Sequence, residues 1–60
     1  MNDTIAKHLL LSRAYTERQE AIRSLERVRR KGDTQAINRA QRRVYEANHR
    51  LMQAERDVFA

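Results

Sequence analysis

Eleven of the thirteen basic residues in this chain are arginine, and they are gathered rather than spread. Between Arg23 and Arg43, eight basic residues (Arg23, Arg27, Arg29, Arg30, Lys31, Arg39, Arg42 and Arg43) stand against only Glu26 and Asp33. That gives the segment a charge of +6 and leaves −1 for the rest of a chain whose total is +5. A guanidinium is a planar fork of donors that matches phosphate, so a cluster of this density is the electrostatic footprint expected of a nucleic-acid-binding surface. The candidate contacts are Arg23, Arg27, Arg30, Lys31, Arg39, Arg42 and Arg43. The plainer reading is a solvated helical face. On it, Glu26 pairs with Arg30 four residues on, Arg29, Arg30 and Lys31 offset the negative end of a helix, and Glu17 meets Arg50 across a hairpin. That reading leaves Arg23 with Arg27 and Arg39 with Arg43 unexplained, since like charges spaced this way each cost a few tenths of a kcal/mol.

Other chemistry finds little footing. His8 and His49 have no second ligand three or four residues on: Leu11, Ser12, Met52 and Gln53 occupy those positions. No metal is expected. No carboxylate pair, nucleophile with a base, or glycine-rich phosphate loop is present, so neither an enzyme nor a cofactor is expected. Cysteine is absent, which removes disulfides and thiolates and is compatible with a cytoplasmic setting. The opening MNDTIAKHLLLS has too short an apolar run for a secretory or membrane segment, so a soluble, unprocessed chain is expected.

The elements that carry these residues follow from composition. With no proline and one glycine in sixty residues, and with strong helix formers dominant, the fold class is all-α. A chain this short buries little surface, and without disulfides or metal it depends on a partner for comfortable stability. The break is KGDT, where Gly32 can end one helix and Asp33 or Thr34 can cap the next. With Asp3 or Thr4 as the first cap, a single domain over 1–60 is expected: helix 1 near 4–31, a loop at 32–33, and helix 2 near 34–58. So short a connection makes them an antiparallel helical hairpin.

Spacings of three and four alternate through Ile37, Ala40, Val44, Ala47, Leu51, Ala54 and Val58, and likewise through Leu11, Ala14, Arg18, Ala21, Leu25 and Val28. This is the apolar seam of a heptad. Folding about Gly32 and Asp33 sets Leu11 opposite Ala54, Ala14 opposite Leu51, Ala21 opposite Val44 and Leu25 opposite Ala40. Each layer pairs a large residue with a small one, so the backbones approach closely while the core fills. Arg18 interrupts the seam opposite Ala47. A polar residue there can fix register, with a carboxylate such as Glu17 of a second subunit as its partner.

A second apolar set lies beside the seam. Tyr15, Ile22, Tyr45, Met52 and Phe59 share one flank of the hairpin, and a lone hairpin leaves that flank wet. Burying each such side chain is worth about 1.5–3 kcal/mol, so the expected cover is a second copy: a homodimer forming a four-helix bundle, with these five residues as its interface. The pattern over residues 11–58 resembles the Rop-type family of small RNA-binding helical hairpins, which dimerise into four-helix bundles with alternating small and large core layers. That resemblance is architectural. Ile5 and Leu9 point away from the seam. Either the start of helix 1 frays, or these two residues contact a heterologous protein. Two function classes follow. One is a small basic regulatory protein binding RNA or DNA through its arginine-rich loop end; the other is an interaction module or adaptor docking on a partner protein, as small phage and plasmid products do.

Overall fold

Gly32 and Asp33 are the only residues between two helices in the computed structural model, which describes residues 2–59, with side chains from Thr4 to Phe59. Helix α1 spans Asn2–Lys31 and helix α2 spans Thr34–Phe59. The fold is an all-α hairpin, measuring 48 × 14 × 11 Å between Cα atoms. Neither helix is long and apolar enough to cross a membrane.

The turn works by local chemistry. Gly32 takes φ 74°, and its N–H donates to the carbonyls of Val28 and Arg29, both at 3.3 Å, which closes the last turn of α1. A Cβ at Gly32 would meet nothing within 4 Å, so glycine is needed for the left-handed backbone rather than for space. Asp33 then caps α2: its Oδ1 accepts from the N–H of Gln35 at 3.1 Å and of Ala36 at 3.4 Å, and its carbonyl accepts from Ile37 at 2.9 Å. Asp33→Ala is expected to cost about 0.5–2 kcal/mol, whereas Asp33→Asn keeps the acceptor and most of the stability. Thermal unfolding followed by circular dichroism reads the difference directly. An unchanged midpoint for Asp33→Ala would show that the cap contributes nothing.

The other end differs from expectation. Helix α1 begins at Asn2, ahead of both residues expected to cap it, so Asp3 and Thr4 lie within the helix; the side chain of Asp3 is outside the described residues. The segment holding Ile5 and Leu9 is part of helix α1.

The core is the seam. Leu11, Ala14, Ala21, Ala40, Ala47 and Leu51 are buried, and Arg18, Leu25, Val28, Ile37, Val44, Ala54 and Val58 are half-buried. Leu11, Ala14 and Leu51 form one buried cluster with Ala54 and Val58 packed against it, the two layers expected nearest the chain termini. Alanine on one helix against leucine on the other is what allows this closeness. No described side chain is completely enclosed, because two helices can cover a seam from only two sides.

Candidate nucleic-acid interface

The loop end carries its charge on exposed helical surface. Arg23, Arg27 and Arg30 recur four and three residues apart on α1, so they form a stripe. This stripe, with Glu20 and Glu26, lines a shallow groove. On α2, Arg39 and Arg42 line a second groove with Gln35 and Asn38. Arg43 instead faces the cleft between the helices, which it shares with Glu17, Glu20, Glu46 and Arg50. Lys31 is exposed at the end of α1. The seven expected contacts therefore surround the loop end rather than line one concave site.

Pairing separates these residues from the rest. Arg50 is held by Glu17 at 3.2 Å across the hairpin and by Glu46 at 3.7 Å on its own helix. Among the described residues, no carboxylate lies within 4.0 Å of Arg23, Arg27, Arg30, Lys31, Arg39, Arg42 or Arg43. The expected contact between Glu26 and Arg30 is not closed. An exposed pair at this spacing is worth only a few tenths of a kcal/mol, too little to hold two long side chains in one geometry. Glu17 to Arg50 does form, so Glu17 is engaged within its own hairpin.

Arg18 sits in the seam, half-buried, with its Nε shielded from solvent and without a hydrogen-bond partner among the described residues. The residue as a whole keeps contact with water, as a long side chain at a seam position can by running its aliphatic stem along apolar surface.

On the apolar flank, Tyr45 is 73% exposed, Phe59 72% and Met52 53%, and Tyr15 is also exposed. Ile22 departs from a wholly wet flank, being half-buried in the hairpin. Met52 and Phe59 line one groove with Glu55 and Arg56. The Tyr15 hydroxyl donates to Glu55 Oε2 at 3.4 Å, tying the two helices together on this side. Sequence reasoning missed Glu55. Its position directly after the seam residue Ala54 was the available signal, since that position borders the opposite helix. Leu10, which flanks the seam beside Leu11, is exposed on the opposite flank beside Ala14, Ala54 and Val58. Ile5 and Leu9 stand exposed on the helical start of α1.

His8 and His49 are both exposed, and among the described residues no three of His, Asp and Glu gather as metal ligands would. Comparison of the chain with protein-family models, curated proteins and solved structures finds no match.

Proposed function

We propose that this protein is a small cytoplasmic regulatory or binding protein that grips nucleic-acid phosphates through its loop end and works as a homodimer, two hairpins closing their apolar flanks into a four-helix bundle. One observation carries the nucleic-acid reading: seven basic side chains gather toward the loop end of a narrow hairpin, and none of them forms an ion pair within 4.0 Å among the described residues. Their mutual repulsion is a standing cost that a polyanion relieves. The apolar flank supports the dimer, and the two surfaces do not compete for the same side chains. A second reading, docking on a heterologous protein, rests on Ile5 and Leu9, which a regular helix holds in water at 65% and 66% exposure.

Salt dependence tests the first reading. Each neutralised phosphate releases condensed counterion and adds about −0.9 to the slope of log K against log salt on duplex DNA, or about −0.7 on a single strand. Replacing Arg39, Arg42 and Arg43 together by glutamine is expected to flatten the slope by about one unit for each arginine that touches phosphate, with helicity unchanged. Fluorescence anisotropy on a labelled duplex and a labelled single strand measures both slopes. Arg56→Gln, at the far end of α2, is the control and should change little. Equal losses from the two ends would reduce the effect to diffuse polyanion attraction. Absence of binding at low salt would leave the protein-docking reading.

A further inference from the structure

Gln35, Asn38, Arg39 and Arg42 line one shallow groove near the start of α2, with no carboxylate and no aromatic ring among the lining residues. All four side chains are exposed, and none of them makes a hydrogen bond or an ion pair among the described residues. The arginine groove on α1 differs. Glu20 and Glu26 stand in it beside Arg23, Arg27 and Arg30, and they oppose the close approach of a polyanion.

Position on the helix matters as much as composition. At about 3.6 residues per turn, Gln35, Asn38 and Arg42 fall within about 60° of one another and about opposite the seam residues Ala40, Val44 and Ala47. Helix α1 packs on that seam, so it lies behind these three side chains, and Arg39 stands to one side of them. An Asn or Gln amide offers one donor and one acceptor, which match N7 and N6 of adenine, and two guanidinium donors match O6 and N7 of guanine. Those edges are displayed in the major groove of duplex DNA, which is about 12 Å wide and admits a helix of about 10–12 Å diameter. An RNA duplex closes the same groove to side chains. Single strands are held largely by stacking on aromatic rings, and the first ring of α2, Tyr45, lies outside this groove on the apolar flank.

Resting on the phosphate-binding reading above, we infer that the loop end reads the sequence of duplex DNA: α2 lies in the major groove with Gln35, Asn38 and Arg42 on base edges, while Arg39 holds phosphate at the groove wall. The first three residues then carry selectivity, and Arg39 carries affinity.

The experiment separates base contacts from charge. A pool of DNA duplexes with a randomised centre is selected on the unaltered chain, and fluorescence anisotropy compares the enriched duplex with single-base changes of it. The expected result is a preferred sequence containing adenine and guanine positions, at each of which the wrong base weakens binding by about 5–150-fold. Gln35→Ala and Asn38→Ala change no charge. Each should erase the preference at one adenine position while leaving the salt slope and the binding of an unselected duplex as they were. Arg39→Gln should do the reverse, flattening the slope by about one unit and keeping the preference. Circular dichroism checks that each variant keeps its helicity, as substitutions at exposed positions should. Binding without enrichment, or a preference that survives both alanine variants, would overturn the base-reading assignment and leave the phosphate grip standing. Tighter binding of a single strand or an RNA duplex than of the selected DNA would do the same. No binding of any nucleic acid at low salt would sink both.

Discussion

Leu51→Ala is expected to destabilise the hairpin by about 2–5 kcal/mol, the range for deleting a buried leucine where the surroundings relax only in part. Leu51 is 6% exposed and shares one cluster with Leu11 and Ala14, so its loss opens the seam where small residues stand on both sides. The single methyl groups of the neighbouring Ala14 and Ala54 cannot extend to refill the space. Typical stability amounts to about 0.05–0.15 kcal/mol per residue, so a chain this short has little reserve and the variant approaches unfolding at room temperature. Urea titration at fixed protein concentration measures the change, the concentration being held because association adds to apparent stability. Leu9→Ala serves as the contrast: Leu9 is 66% exposed, and its truncation should stay within about 0.5 kcal/mol. A cost below about 1 kcal/mol for Leu51→Ala would mean that the buried cluster is not what holds the two helices together.

Met52→Glu should act on association rather than on the hairpin. The side chain is exposed in the single chain and glutamate is a good helix former, so the helical signal of the monomer is expected to persist. In the proposed dimer, two copies of the change would fall on the interface. Losing two buried methionines forfeits about 3–6 kcal/mol, which converts to a dissociation constant weaker by about 10²–10⁴. Sedimentation equilibrium over a range of concentrations gives both constants. If the variant and the unaltered chain associate equally, the row of Tyr45, Met52 and Phe59 is not an interface.

What could be read in advance follows how redundantly the sequence states it. The seam is written many times over: Ile37, Ala40, Val44, Ala47, Leu51, Ala54 and Val58 all carry the same spacing, and every one is buried or half-buried. The turn is written once but unmistakably, since Gly32 is the only glycine and Asp33 follows it with a capping side chain. The first cap was misplaced because Asp3 and Thr4 have the right side chains without a glycine or proline before them to stop the helix from starting sooner. Pairings between long exposed side chains are weaker still. Glu26 and Arg30 have favourable spacing yet stay apart, whereas Glu17 and Arg50 close, and no spacing rule separates cases that differ by tenths of a kcal/mol. The candidate binding residues were chosen by charge alone, and the three surfaces over which they spread depend on how the hairpin turns them.

The two-residue connection at Gly32 and Asp33 also orders events in time. Each layer of the seam closes a longer stretch of chain than the one before it, beginning with Leu25 and Ala40 beside the turn and ending with Leu11 and Ala54, and the entropy of closure rises along that series. The hairpin is thereby disposed to zip from the loop outward, with the turn as its nucleus. Leu51 belongs to the layers that close late, so the loss of its side chain should appear mainly in the unfolding arm of a chevron plot, while removal of the Asp33 cap should appear mainly in the refolding arm.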